Sequence, residues 1–308
     1  MGDQKKAVVF GSSGLIGSAV CKELMRRGYS LVAVGRDKER VRQKVPGASE
    51  YFEFTGTEGS LEKIINGSIA VFNFSGAPIF KKWKGDYKTE IYESRVNYTS
   101  AISEGIKKCQ DPPELFVNGS AAGIYGYDSW DDRNITEDEP AAEDFWGVLV
   151  KEWEGAAEKA KSDKTRVVNL RTSVVLDSSE GALEQLVKVF NRGLGGPIKP
   201  GTQWFPWIHL DDEVGLALFP LEKQDLSGPI NASSPQVPRM NDFSAILGKV
   251  LNKPSRIKVP ITIIRMMFGE VSDLLIKGKK VVPAKAEKYG YSFQFPDLEG
   301  ALGNLLKK

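Results

Sequence analysis

The chain has 308 residues, with 42 Lys plus Arg against 40 Asp plus Glu and a formal net charge of +2; 41% are hydrophobic and 27% charged. That balance suits a folded chain of one large or two modest domains, and it excludes both disorder and nucleic-acid binding through bulk charge. Two cysteines, Cys21 and Cys109, and one histidine, His209, exclude a disulfide framework and the usual cysteine or histidine metal sites.

In chain order, the N-terminus reads as no signal peptide. Its only early apolar run is residues 7–10, and Lys6 stands where a myristoylation signal takes Ser or Thr. No apolar run is long enough to span a bilayer, so no membrane partner and a cytoplasmic location are expected. Short apolar runs at residues 7–10, 31–34, 69–74, 115–117 and 167–170 predict parallel strands buried on both faces. Ile16, Val20 and Leu24 recur every four residues and predict a helix that stops at Gly28. Phe145, Leu149, Trp153, Ala156 and Ala160 predict another.

This alternation predicts an α/β chain with a Rossmann-type doubly wound parallel sheet. After about Ser178 the character changes: residues 193–201 are rich in Gly and Pro, and proline recurs through Pro296. A smaller C-terminal substrate lobe is expected there. Gly228–Ala232 reads as one more strand returning to the main sheet, which makes the lobe discontinuous. The expected division is a dinucleotide-binding domain over 1–177, with 210–232 returning to it. Residues 178–308 are then mostly substrate-binding lobe and tail.

The strongest chemical signal is Gly11-Ser12-Ser13-Gly14-Leu15-Ile16-Gly17, between the first predicted strand and helix. Glycines there permit a tight turn and a close backbone approach to a pyrophosphate, which the free N–H groups at the helix start then bind. The second strand ends in Gly35-Arg36-Asp37. A guanidinium at Arg36, with Lys38 nearby, suits the 2′-phosphate of NADP(H). The alternative is that Asp37 holds a ribose and Arg36 is merely solvated.

Further segments carry a resemblance. They are Asn73-Phe74-Ser75-Gly76-Ala77-Pro78-Ile79, Trp83, Ser94-Arg95, Ser120-Ala121-Ala122-Gly123-Ile124-Tyr125-Gly126 and Trp153-Glu154. Downstream come Gly193-Leu194-Gly195-Gly196-Pro197, Gln203-Trp204, Trp207-Ile208-His209-Leu210-Asp211-Asp212 and Gly290-Tyr291-Ser292-Phe293-Gln294-Phe295-Pro296. With these, nearly the whole chain resembles the extended short-chain dehydrogenase/reductase superfamily, and within it an atypical, epimerase-like family with its own tail domain. The resemblance implies bound NADP(H), contacts to the cofactor from Phe74, Ser75, Gly76 and Ala77, and a small substrate lobe. It also places an arginine of NADP-using relatives at Arg36, and the acidic residue of NAD-using relatives at Gly35.

The superfamily's chemistry uses a Ser, a Tyr and a Lys, the phenol exchanging the proton while hydride moves. Here Ser120 takes the place of the serine. The segment that should hold Tyr-x-x-x-Lys runs Phe145-Trp146-Gly147-Val148-Leu149-Val150-Lys151-Glu152-Trp153-Glu154 and has no tyrosine. Counting back from Lys151 gives Gly147; aligning on Glu154 puts Trp146 and Val150 at the two positions. Candidate replacements are Tyr125, which also reads as a buried structural tyrosine, and Lys151, which also reads as a solvated helix residue. Asn97 matches an active-site asparagine loosely, and His209 reads as a hydrogen-bonded structural residue.

Trp83, Trp146, Gln203 and Trp204 are the candidate substrate contacts, the last two because the loop over residues 195–203 is expected to overhang the cofactor in this fold; the tryptophans also read as ordinary core residues. Lys81, Lys82 and Lys84 offer attraction for an anionic substrate, or simply a solvated face. The function expected is an NADP-dependent oxidoreductase or epimerase-like enzyme acting on a small carbonyl or hydroxyl compound, without a metal. The alternative is a non-catalytic NADP(H) sensor or interaction protein. Monomer and homodimer both stay open: the resemblance implies pairing through helices around residues 86–109 and 143–161, which read equally as solvated.

Overall fold

The apolar runs build the sheet. The strands are β1 (Lys6–Phe10), β2 (Ser30–Gly35), β3 (Glu50–Glu53), β4 (Ala70–Asn73), β5 (Leu115–Ala121) and β6 (Asn134–Ile135). They continue with β7 (Arg166–Thr172), β8 (Val174–Leu176), β9 (Trp207–His209), β10 (Gly228–Ala232) and β11 (Lys280–Val281). These come from a computed structural model, which describes residues 5–56, 61–79, 83, 85–127 and 132–307. Seven strands form one parallel sheet in the order β10-β7-β5-β4-β1-β2-β3.

Side chains alternate across the two faces, as strand geometry requires. Ala7, Val9, Leu31 and Ala33 pack toward Val20, Cys21 and Leu24 of the helix Leu15–Arg26, with the helix Leu210–Leu218 on the same face. Val8, Phe10, Val32 and Val34 pack on the opposite face against Ile102, Ile106 and Ala157, from the helices Tyr98–Lys107 and Phe145–Glu158. A third core, with Phe190, Trp207, Phe243 and Leu302, lies in the C-terminal half.

Three details depart from the sequence reading. The strand β3 was not among the expected runs, because Glu50 and Glu53 bracket its two apolar residues and it lies on the sheet edge. β5 runs four residues beyond the expected 115–117, through Asn118 to Ala121. Its polar extension is buried because Asn118 accepts from Asn73 Nδ2 at 2.9 Å and donates to Gly119 O at 2.8 Å, so a ladder of asparagines crosses from β4 to β5. Phe145, counted into the apolar face of its helix, is 40% exposed.

One carboxyl links the sheet to the Leu210–Leu218 helix. Glu213 is fully buried; its Oε1 accepts from Thr172 Oγ1 at 2.7 Å and its Oε2 has no partner. Burial pushes its pKa from 4.5 up to about 8, against the Thr172 bond. The folded chain therefore keeps a proton that the unfolded chain releases. Its contribution to stability is fully present below the unfolded value of 4.5 and is lost as pH rises through about 8. Denaturation midpoints are expected to fall across that window, and Glu213→Gln to flatten the fall. A wild-type midpoint that does not change with pH there would show the carboxyl is not held protonated.

Candidate active site

Parallel strands gather functional side chains at their C-terminal ends, where loops can approach a ligand. At β1 the glycine turn has the geometry that close approach demands. Gly11 has φ +76, and a Cβ there would sit 2.6 Å from the carbonyl carbon of Phe74; a Cβ at Gly17 would sit 2.3 Å from Gly11 O. Gly14 caps the first helix without a side-chain bond, and no acidic residue lies in its first turn. The helical return bonds start at Ser18 N–H to Gly14 O, so the N–H groups of Leu15, Ile16 and Gly17 precede them. That is an anion cradle with nothing of its own to fill it. Ser12 is spent inside the fold: its hydroxyl donates to Val9 O at 2.6 Å and accepts from Val34 N–H at 3.1 Å, its own N–H donates to Val34 O at 3.1 Å, and the residue is fully buried. Ser13 is half-buried and stands beside Gly35, its Oγ 3.8 Å from where a Cβ at Gly35 would lie.

At the end of β2, Arg36 is exposed. Asp37 is engaged elsewhere, since its Oδ1 accepts from the N–H groups of Glu39 and Arg40 and caps the helix Lys38–Lys44. A side chain at Gly35 would meet Val41 Cγ2 at 2.5 Å, so no carboxylate fits there.

After β4 the chain continues through Phe74, Ser75, Gly76 and Ala77. Ser94 and Arg95, on the π-helical turn Glu93–Asn97, clamp this loop: Ala77 N–H donates to Ser94 Oγ at 2.9 Å and Arg95 donates to Ala77 O at 3.2 Å. The guanidinium lies against Gly76, where a Cβ would come within 3.1 Å of it. Burial lowers the Arg95 pKa to about 10.

At the end of β5, Ser120 is 5% exposed and donates to Glu154 Oε1 at 2.6 Å. Arg171, at the end of β7, grips both oxygens of that carboxylate, through Nε and NH2, at 2.9 Å each. Burial works against the Arg171 charge, but the bonds and charge of Glu154 outweigh it, so its pKa is raised. Arg171 NH1 also donates to Tyr125 Oη at 2.9 Å, and that phenol donates to Asn231 Oδ1 at 2.6 Å. Burial pushes the Tyr125 phenol up to about 12, with Arg171 pulling the other way. Both capacities of the Tyr125 hydroxyl are thus taken inside the network.

Glu154 and Arg171 are the residues that sequence reasoning missed as a unit; Glu154 entered it only as part of a motif. The signal available was helical spacing, because Trp146, Val150 and Glu154 recur every four residues along one face. Val150 is buried, whereas Lys151 next to it is exposed. Ser120 is hydrogen-bonded to Glu154, not to Lys151.

Trp83 and Trp146 come together with Phe145. Their ring centroids are 5.7 Å apart for Trp83–Trp146, 6.3 Å for Trp83–Phe145 and 5.2 Å for Phe145–Trp146. They line an open cavity of about 550 Å³ together with Tyr127, Asp144, Arg265, Gly269, Ser272 and Asp273. Gln203 and Trp204 are not on its walls. Gln203 is 1% exposed and its amide pins its own loop, accepting from Gly201 N–H and donating to Ile198 O and Leu275 O. Trp204 packs against Arg239, 4.0 Å from the ring centroid, and Lys280, 5.0 Å away. His209 is 2% exposed, stacks on Phe295 at 3.8 Å, and meets Asn304 Oδ1 at 3.2 Å. Lys81, Lys82 and Lys84 lie outside the described residues. Among the described residues no group of His, Cys, Asp and Glu could hold a metal ion, and no helix is long and apolar enough to cross a membrane.

The seven-strand parallel sheet and the glycine turn after β1 define a Rossmann-type dinucleotide-binding protein of the extended short-chain dehydrogenase/reductase type. Residues 7–232 match the NAD dependent epimerase/dehydratase family, and the chain belongs to it; residues 259–305 match a domain of unknown function, DUF1731. The chain is 32% identical over 306 residues to the mouse epimerase family protein SDR39U1, covering 98% of this chain and 99% of that protein. It is 31% identical to the chloroplastic SDR39U1 homolog of Arabidopsis thaliana, covering 99% and 87%. The crystal structure of human SDR39U1 with NADPH superposes with a TM-score of 0.87 at 30% identity, covering 97% of this chain and 98% of that one.

Proposed function

We propose that the chain binds NADP(H) and reduces or oxidises a carbonyl or hydroxyl compound held at Ser120. The observation that carries the cofactor half is the end of β2, where Asp37 is spent on a helix cap and Arg36 stands exposed. The glycine cradle fits a diphosphate, and the related human protein was crystallised with NADPH. When bound, the nicotinamide supplies or accepts hydride; the protein supplies orientation and a proton route. On this reading the Ser120 hydroxyl takes the proton of a substrate alcohol as its own proton passes to Glu154. In the reducing direction both moves reverse. Arg171 keeps the carboxylate aimed at Ser120, and Tyr125 braces Arg171. Residues 1–177 with 210–232 then serve the cofactor and most of 178–308 the substrate. A cytoplasmic location belongs to the same proposal, supported by two unpaired cysteines.

A second reading, a non-catalytic NADP(H) sensor, is favoured by one observation: Tyr125, the candidate replacement for the missing phenol, has its hydroxyl engaged by Arg171 and Asn231. Absorbance of NADPH with a panel of carbonyl compounds separates the two. The enzyme reading predicts oxidation that Ser120→Ala and Glu154→Gln each reduce by about 100-fold or more, the usual scale of lost acid/base catalysis. NADPH that binds but is consumed with no carbonyl favours the sensor, and Ser120→Ala at full turnover removes Ser120 from the chemistry.

A further inference from the structure

We propose that the cavity beside Trp146 is the substrate pocket and that it takes a flat aromatic carbonyl compound, an aryl ketone or its alcohol, rather than a nucleotide sugar. This rests on the oxidoreductase reading above and names its substrate class. The placement comes from the turn after Ser120. A Cβ at Gly123 would lie 3.0 Å from Tyr127 Oη and 3.8 Å from Trp146 Cβ, so the cavity wall packs directly on the chain leaving Ser120. Trp146 also shares its helix face with Glu154, the carboxylate that Ser120 meets.

The chemistry of the walls gives the class. One wall is ring surface from Trp83, Phe145 and Trp146 in edge-to-face packing. Its polar atoms are largely spent: Trp83 Nε1 donates to Ile79 O at 3.1 Å and Asp144 Oδ1 accepts from Gly147 N–H at 2.8 Å. Burial raises the Tyr127 pKa and keeps that phenol neutral. The lining also holds one guanidinium, Arg265, 3.9 Å from Asp273. Among the described residues two cations, Arg265 and Lys88, the latter 5.2 Å from the Phe145 ring centroid, are matched by two carboxylates, Asp144 and Asp273; that is a poor host for a diphosphate, which needs convergent donors and net positive charge. Ring faces left open by edge-to-face packing suit a planar aromatic ligand, and the volume of about 550 Å³ is in the range of small-molecule sites. Arg265 and Asp273 fall within residues 259–305, so that segment of unassigned function acquires one: it supplies part of the pocket lining.

Saturation-transfer NMR on the NADPH-loaded protein tests this with three probes: 2-acetonaphthone, cyclohexyl methyl ketone and UDP-glucose. The expected result is transfer to the naphthyl protons, about tenfold weaker binding of the cyclohexyl ketone, no displacement by UDP-glucose, and about tenfold weaker 2-acetonaphthone binding in Trp146→Ala. Should Trp146→Ala fail to fold, Phe145→Leu, whose ring is 40% exposed, is expected to weaken binding about threefold. Displacement of the naphthyl ketone by UDP-glucose overturns the proposal, as does binding untouched by the folded variants. Calorimetry with NADPH separates the two layers: naphthyl binding through Trp146 in a chain that takes no NADPH keeps the pocket and removes the cofactor reading.

Discussion

Replacing Arg36 by alanine is expected to weaken NADPH binding by about 10- to 100-fold and to leave NADH binding nearly unchanged. The effect follows from one lost charge-assisted contact to the 2′-phosphate, about 1.5–3 kcal/mol, where each 1.4 kcal/mol is tenfold. Arg36 is exposed, so stability should hardly change and the loss reads as recognition alone. Arg36→Lys should recover part of the affinity, because a lysine keeps the charge but not the fork. The converse, switching preference toward NADH, cannot be had by placing a carboxylate at Gly35, since any side chain there collides with Val41. Equal loss for both nucleotides in Arg36→Ala would place the residue on the shared part of the dinucleotide instead.

The largest expected stability effect lies in the Glu154–Arg171 pair. Their side chains are 12% and 8% exposed. Arg171→Met strands a carboxylate away from water, and a loss of about 3–5 kcal/mol is expected in denaturant unfolding. The double replacement Glu154→Leu with Arg171→Met should recover much of that, because an apolar pair removes the desolvation cost along with the attraction. The contrast is Arg42→Ala, which breaks an exposed pair with Glu39 and should cost at most about 1 kcal/mol. If Arg171→Met is no more costly than Arg42→Ala, the pair is solvated and cannot hold Glu154 for a proton route.

The sheet was legible because its central strands are buried on both faces, so residues 7–10 and 31–34 read as unbroken apolar runs. That signal fails at an edge, where Glu50 and Glu53 flank β3, and it fails where polar side chains satisfy one another, as Asn118 does with Asn73. The glycine turn and Arg36 were legible because backbone conformation and charge leave local marks. The engagement of Asp37 was not, since capping depends on where the next helix begins. Glu154 and Arg171 sit on a helix and a strand, and only the fold makes their bidentate contact. Gln203 shows the opposite error: its loop resembles one that overhangs a cofactor, yet its amide holds that loop together from inside.

The most direct test of the account is a calorimetric titration of the folded protein with NADPH and, separately, NADH. The account predicts saturable one-to-one binding of NADPH, with NADH at least about tenfold weaker because it lacks the phosphate that Arg36 meets. Equal affinity for the two nucleotides, or no heat with either, would contradict it.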